Sequence, residues 1–366
     1  MGELLRAHEV VVRGPRVTLR PLTEDDWPVL CRWNADPEVL SFADGNDRDS
    51  YSPDEVKGIY RKVSETAFCF MIEAGGRPIG ECWLQRMNLP EILERHPRLD
   101  LRRIDIAIGE KSTWGGGLGA EAIGLLVRFG FEGERADEIY GCGIWSRNPR
   151  SLVAFAKHGF EVDEWQPVEG HGGEGSEYNL FLARDVWTRF HAGARPLVVR
   201  KAGTADREAM LSILTEAAEW LLARGLRQWE AHVSEPGHLE ERVDEAINAG
   251  TGWIAEMEGE AAGTFILSGP RDRTCELWPD ASPNERYLFK LAVRRAFAGR
   301  GLGIRLLRRA EVLAIAQGAT AIRLDCVATG PEPALPRYYA GAGYSLRGML
   351  EAHGWRLAQF ERVLGA

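Results

Sequence analysis

Apolar and polar positions alternate through RVTLRP near the start of the chain and again through PLVVRKA past its midpoint. A period of two is the mark of a half-buried strand. Each run leads into an acidic stretch and then a helical pattern, DDWPVLCRW in one case and REAMLSILTEAAEWLLARG in the other. FCFMIEAGGRPIGECWL and WIAEMEGEAAGTFIL follow, and both read as two strands joined by a tight glycine turn. A longer strand comes next (LRRIDIAIG; RYLFKLAV), then a glycine loop and an amphipathic helix (AEAIGLLVRFGF; IRLLRRAEVLAIAQ). Another strand (EIYGCG; AIRLDCV), a short helix and terminal strands close each unit. EGHGGEG, from Glu169, reads as a mobile hairpin loop ahead of YNLFLA.

The likeness between the halves is positional as well as periodic. Gly117-Leu118-Gly119 returns as Gly301-Leu302-Gly303, 184 residues later, and His158-Gly159-Phe160 returns as Ala342-Gly343-Tyr344 at the same offset. EAGGRPIGECWL from Glu73 matches EMEGEAAGTFIL from Glu256 at an offset of 183, and Arg20 corresponds to Arg200. A repeat this long is a duplicated domain and not a solenoid. The expected fold class is α/β, with an α+β mixed sheet flanked by helices in each of two tandem domains, residues 1–192 and 196–366. The join falls near HAGARP, His191–Pro196, where small residues and proline interrupt the pattern.

Composition narrows the function. The 366 residues carry a formal charge of −9, which argues against nucleic acid as a partner, because phosphate neutralisation needs a basic face. No 18-residue apolar run exists, since Arg128 breaks AIGLLVRFGF, and the charged N-terminal segment lacks the apolar stretch of a signal peptide. The six cysteines lack CxxC spacing, and five lie in apolar runs, as buried thiols do. A cytoplasmic protein that avoids membranes is expected. The eight histidines show no HExxH or HxH spacing, so no metal site is expected.

A strand that runs into glycines and then a helix suggests an anion site, because backbone N–H groups converge there and glycine removes the Cβ. No Gly-Lys-Ser/Thr follows, which excludes an ATP-cradling loop. A dinucleotide fingerprint would need a third small residue; Ala122 fits but Leu306 does not. The order of elements and the loops WGGGLGA and AGRGLGI resemble the GNAT acetyltransferase superfamily over nearly the whole chain, once per half. That family's pyrophosphate loop reads Q/R-x-x-G-x-G/A. The glycine positions match, while Trp114 and Ala298 stand where Gln or Arg leads.

The resemblance implies acetyl-CoA as co-substrate. Trp114, Gly115, Gly116, Gly117, Leu118 and Gly119 would hold its pyrophosphate in the first half, and Gly299, Arg300, Gly301, Leu302 and Gly303 in the second. Ile106 and Ile108, or Leu291 and Val293, would offer backbone hydrogen bonds to the pantetheine, and Asn148 would face that arm. The family's usual proton donor to the departing thiolate is a tyrosine, found as Tyr339 in PRYYAGAGY but replaced by Phe155 in LVAFAKHGF. Glu285 and Asp325 are candidate general bases in the second half, since an amine with a pKa of about 10 must first lose a proton.

RRIDIAIGEKSTWGGGLGAEA is similar to the central strand and loop of aminoglycoside 6′-N-acetyltransferases, and by that likeness Asp105 anchors or deprotonates the amine. The reading left beside it is a salt bridge from Asp105 to Arg102 or Arg103. The family's second acidic position is Gly143 here. RHPRLDLRR reads as a solvated approach to the strand, and Trp220, Trp229 and Trp253 as core. The second half is similar to actinobacterial-type GNAT proteins of unknown substrate.

The expectation is an acetyl-CoA-dependent N-acetyltransferase acting on a primary amine of a small molecule, with an aminoglycoside-like antibiotic as the candidate acceptor. The alternatives are a protein or peptide amine, or one half that binds acetyl-CoA or braces its sibling without chemistry. Homodimerisation is left open.

Overall fold

Gly75 and Gly76 both take positive φ, 56° and 73°, and close a two-residue turn in which Ala74 faces Arg77. Such a turn needs left-handed backbone at both positions, which glycine adopts without a Cβ clash. It joins β3 (Ala67–Ala74) to β4 (Arg77–Arg86), the hairpin expected from the sequence. In the second half Glu258 (φ 57°) and Gly259 (φ 85°) make the same turn between β10 (Gly252–Met257) and β11 (Glu260–Ser268).

The computed structural model describes residues 4–43, 48–170, 173–193, 195–227, 229–270, 277–328, 334–352 and 354–365. The chain separates between Arg189 and Phe190 into two units. The first is built on an eight-stranded sheet in the order β1-β2-β3-β4-β5-β6-β8-β7. Its other strands are β1 (Val12–Arg13), β2 (Val17–Pro21), β5 (Leu101–Ala107), β6 (Glu138–Trp145), β7 (Glu161–Gly170) and β8 (Gly173–Ala183). All neighbours are antiparallel except β5 and β6, which pair in parallel from Leu101–Glu138 to Ile104–Gly141. Beyond that point the two strands no longer pair with each other, β5 continuing against β4 and β6 against β8. That parting is the origin of the site.

Among the described residues seven helices accompany the sheet: α1 (Trp27–Trp33), α2 (Pro37–Ala43), α3 (Pro53–Ser64), α4 (Pro90–Arg95), α5 (Leu118–Arg128), α6 (Pro149–Lys157) and α7 (Arg184–Phe190). Sequence reading left α3 out, although SPDE carries a start signal. Ser52 and Glu55 form a reciprocal capping box, with Pro53 at the first helical position. Val56 and Tyr60 bury its inner face among Trp27, Leu30 and Met71.

The second unit has a seven-stranded sheet, β14-β15-β13-β12-β11-β10-β9. Besides the hairpin it contains β9 (Val198–Lys201), β12 (Glu285–Val293), β13 (Ala321–Val327), β14 (Ser345–Ala352) and β15 (Trp355–Val363). Its helices are α8 (Arg207–Leu222), α9 (Ala231–Ser234), α10 (His238–Asn248), α11 (Leu302–Ala316) and α12 (Ala334–Gly341). Here β12 and β13 form the parallel pair, again only at their beginnings, Glu285–Ala321 to Tyr287–Arg323. The duplication extends to side chains. Arg20 pairs with Asp26 (2.7 Å) and Glu73 (2.7 Å), and Arg200 pairs with Asp206 (2.7 Å) and Glu256 (3.0 Å by its Nε).

Three local expectations change. Strands β7 and β8 run up to Gly170 and on from Gly173 as a paired hairpin, so the glycine-rich piece is strand on both sides; His171 and Gly172 lie outside the described residues. RHPRLDLRR is not a solvated approach throughout: Arg102 is buried and pairs with Asp100 and Glu134. Trp220 lies under the guanidinium groups of Arg224 and Arg295, while Trp253 is buried in a stack with Phe265. Cys31, Cys69, Cys82, Cys142 and Cys326 are free thiols, and Cys275 lies outside the described residues.

Candidate active site

In the first unit the loop after β5 reaches α5 through Gly115 (φ 80°) and Gly117 (φ 77°). A Cβ on Gly115 would touch nothing within 4 Å, so this glycine is required by backbone conformation and not by crowding. Gly117 is the residue before the first turn of α5 and offers no side-chain cap, which leaves the N–H groups of that turn to an outside acceptor. Arg16 fixes the loop from below, donating to the Gly116 carbonyl at 2.9 Å and to Glu121 at 2.8 Å.

Between the end of β5, this loop and α6 lies a cavity of 470 Å³. Ile106, Ile108, Gly115 and Gly117–Ala120 line it, and Arg150 and Lys157 bring positive charge to its wall. Trp114, in place of the expected Gln or Arg, donates its indole N–H to the Ile108 carbonyl at 2.7 Å. The Arg150 guanidinium lies 4.4 Å from the ring centres of both Trp114 and Phe42. Asn148 lines the cavity, but its amide is already occupied: Oδ1 accepts the Ser151 N–H and Nδ2 donates to the Phe42 carbonyl, both at 3.1 Å. It shapes the wall and holds α2 over it. Positively charged walls, unsatisfied helix N–H groups and an apolar strand edge fit the phosphates and the arm of a CoA thioester.

A second cavity of 280 Å³ adjoins the first and shares Ile106, Ala107, Asn148 and Ser151 with it. Its walls are aromatic and acidic: Trp33, Tyr51, Tyr60 and Trp83 surround Glu81 and Asp105. Asp105 accepts the Trp83 indole N–H at 2.9 Å and makes a two-pronged pair with Arg103 at 2.7 and 2.8 Å. The salt-bridge reading of Asp105 is met by Arg103 and not Arg102, and the carboxylate lines the cavity.

Glu81, on β4, is the residue that sequence reasoning missed. It is 5 % exposed, and its Oε2 has no hydrogen-bond partner among the described residues. Burial pushes its carboxyl up to about 8; the Tyr60 hydroxyl opposes this and the charge of Asp105 adds to it. A signal was present, since Glu81 is the one charged residue inside the apolar run IGECWL. Phe155 is 2 % exposed and packs over Gly141, where a Cβ would come within 2.6 Å of the ring, so no hydroxyl exists at that place.

The second unit repeats the loop, with Gly299 and Gly301 at φ 77° and 82° and α11 beginning at Leu302. A Cβ on Gly303 would lie 3.2 Å from the Tyr338 hydroxyl. Leu291 and Val293 are half-buried at the end of β12, and Arg300 pairs with Glu258 at 2.8 Å. Tyr339 is on α12, its ring against Tyr338, Tyr344 and Phe360, and burial raises its phenol above the usual value. Asp325 is half-buried on β13 and its charge reaches Tyr339.

Glu285 is a correction. It opens β12, accepts from Tyr287 at 2.7 Å and the Ser282 N–H at 2.9 Å, and pairs with buried Arg323 at 2.9 Å. Eight strand steps separate it from Val293, about 26 Å. It is a structural carboxylate at the far end of the sheet.

Strand register makes the two units comparable position by position. Glu81 faces Ala107 and Trp83 faces Asp105; Thr264 faces Ala292 and Ile266 faces Phe289. Thr264 and Phe289 thus stand where the first unit has Glu81 and Asp105. The register of β12 shifts here, and Lys290 takes a φ of 52°. Among the described residues no group of three His, Cys, Asp or Glu side chains could hold a metal ion, and no helix is long and apolar enough to cross a membrane.

Residues 16–161 match the Acetyltransferase (GNAT) domain family and residues 218–344 the Acetyltransferase (GNAT) family. A curated relative, the uncharacterized N-acetyltransferase YesJ of Bacillus subtilis (strain 168), is 36 % identical over 163 residues, covering 44 % of this chain and 87 % of the relative. Solved structures with similarity include a GNAT-family acetyltransferase from Listeria monocytogenes 4b F2365, at 28 % identity, 45 % of this chain, 95 % of that one and a TM-score of 0.37. Another is AAC(6')-Ib in complex with ribostamycin and coenzyme A, at 22 % identity, 49 % of this chain, 99 % of that one and a TM-score of 0.41. The chain belongs to the GNAT acetyltransferases. It is an N-acetyltransferase with two GNAT domains in tandem, of a class that takes its acetyl group from acetyl-CoA.

Proposed function

We propose that the first unit transfers the acetyl group of acetyl-CoA to a primary amine of a small cationic molecule, with aminoglycoside-like amines among the candidate acceptors. The observation that carries this is Glu81: a buried carboxyl with one free oxygen, in an aromatic and acidic cavity that adjoins the glycine-loop cavity. Aromatic faces and carboxylates both attract a cationic amine. With its pKa pushed to about 8, Glu81 is matched to accepting the ammonium proton near neutral pH. Acetyl-CoA supplies the activated acyl carbon. Gly115–Gly119 are assigned to its pyrophosphate, and the backbone of Ile106 and Ile108 to its arm. Asp105 and the tryptophans orient the amine. Once Glu81 has taken the ammonium proton, the amine nitrogen bonds to the acyl carbon as the carbon–sulfur bond breaks, and the second nitrogen proton passes to the departing sulfur, so that CoA leaves as its thiol.

A second reading concerns the other unit. Its glycine loop and Tyr339 support acetyl-CoA binding and proton donation, while Thr264 and Phe289 in place of Glu81 and Asp105 favour a different acceptor or none. The domain limits carried with this proposal are 1–192 and 196–366. The test is CoA release from acetyl-CoA with a panel of small amines, comparing the natural chain with Glu81→Gln. Loss of turnover on the cationic amines, with acetyl-CoA still bound, is the expected result; unchanged turnover removes Glu81 as the base.

A further inference from the structure

The first unit lacks a carboxylate at Gly143, and the neighbouring strand brings one to the same place. Gly143 takes a φ of 68° at a register shift between β6 and β8, and its N–H donates to Asn179 Oδ1 at 3.1 Å. A Cβ built on Gly143 would lie 3.0 Å from Glu177 Oε1. The carboxylate of Glu177 therefore occupies the space that a side chain at position 143 would enter. Gly143 itself lines the 280 Å³ cavity.

The pleat puts Glu177 on the correct side. Side chains alternate along a strand, so Glu81 and Trp83 share a face of β4, and Trp83 is opposite Asp105 on β5. Arg103, on that same face, is opposite Tyr140, and Tyr140 is opposite Phe181 on β8. Two and four residues before Phe181 come Asn179 and Glu177, on the same face again. Glu81, Asp105 and Glu177 thus look out from one side of the sheet. Asp105 is neutralised by Arg103, whereas Glu177 is half-buried without a hydrogen-bond or ion-pair partner among the described residues. The buried, unpartnered Oε2 of Glu81 is an independent sign that this cavity is completed by a ligand and not by protein.

We propose that Glu177 is a specificity-determining residue that holds a second cationic group of the acceptor while Glu81 serves the reacting amine. The assignment rests on the small-amine reading of the first unit. β4 and β8 are three strand spacings apart, about 14 Å, and more where β5 and β6 part. The acceptor class is then a long amine with positive charge at both ends, which favours extended diamines and oligoamines over simple alkylamines.

The experiment compares octylamine with diaminooctane as acceptors for the full chain, by CoA release, in the natural protein and in Glu177→Gln. The natural protein is expected to show the lower KM for the diamine. In Glu177→Gln the ratio of the two KM values moves about tenfold towards octylamine, with kcat for the diamine changed less than its KM. A ratio that stays put in Glu177→Gln while both amines turn over overturns the role of Glu177 alone. So does an equal rise in both KM values, which is what a merely structural residue would give. If neither amine is acetylated by a chain that binds acetyl-CoA, the small-amine reading fails, and this assignment fails with it.

Discussion

Arg103 and Asp105, two residues apart on β5, face the same side of the sheet and close a two-pronged ion pair at 2.7 and 2.8 Å beside the acceptor cavity. The pair is largely buried, with side-chain exposures of 18 % and 24 %, and Trp83 adds a third hydrogen bond to the carboxylate. Asp105→Asn leaves the Arg103 cation short of its partner, and a stability loss of about 1–3 kcal/mol is expected in denaturant unfolding. Arg103→Ala and the double variant complete a cycle whose coupling energy should exceed about 0.5 kcal/mol. Additive losses would mean that the pair is a surface contact. Asp105→Asn should also raise the KM of cationic amines.

Glu81 gives the reaction its pH dependence. With its carboxyl at about 8, the base form grows as pH rises, so acetyl transfer to a given amine should climb through neutral pH and level above about 8. Glu81→Gln should remove that limb and lower turnover by about 10²–10⁴-fold.

Stability runs the other way at the same residue. Its folded pKa is raised, so between the unfolded value of 4.5 and about 8 the native state binds the extra proton. The fold therefore loses stability as pH rises through that window, by at most about 1.4 kcal/mol per pH unit from this group. Glu81→Gln escapes the loss, and its melting temperature should exceed that of the natural protein at pH 9 by more than at pH 5. A gap that is the same at both pH values would place the folded carboxyl near its ordinary pKa.

The two glycine loops can be counted separately. Gly117 and Gly301 take φ of 77° and 82°, where an alanine costs about 1–2 kcal/mol. Calorimetric titration of the natural chain with acetyl-CoA should give two equivalents, and Gly117→Ala or Gly301→Ala should each weaken one of them. One equivalent, lost only in Gly117→Ala, would mark the second unit as a domain that binds no acetyl-CoA.

Tyr339 decides whether the second unit reacts. CoA release that survives Glu81→Gln should fall about 10²-fold further in the Glu81→Gln/Tyr339→Phe double variant if the phenol is the proton donor there. No further loss would leave Tyr339 as a packing residue of α12, in the aromatic cluster with Tyr344 and Phe360.

Local patterns were readable because they depend on neighbours in sequence. The glycine turns, the strand alternation and the paired halves all appear in the structure, down to the matching Arg20 and Arg200 networks. The capping box of α3 was readable by the same rules and was passed over. Glu81 was harder, because a charged residue in an apolar strand means nothing until its surroundings are known. The Asp105 partner was narrowed to two arginines that differ by one position. On a strand that difference is a change of face, and only the sheet register settles which arginine meets the carboxylate.

The sequence by itself determined that this chain holds two similar halves with a glycine loop ahead of a helix in each, since periodicity and glycine spacing act over short range. The tertiary structure alone decided which carboxylates share a cavity. Glu81 and Asp105, on two different strands, line one cavity, and Glu177, on a third, stands beside Gly143 in its wall. It also moved Glu285 out of contention, because a strand of nine residues is long enough to carry its first residue away from chemistry at its last. Register and burial are properties of the assembled sheet, and they set the charge, the pKa and the reach of each group in the site.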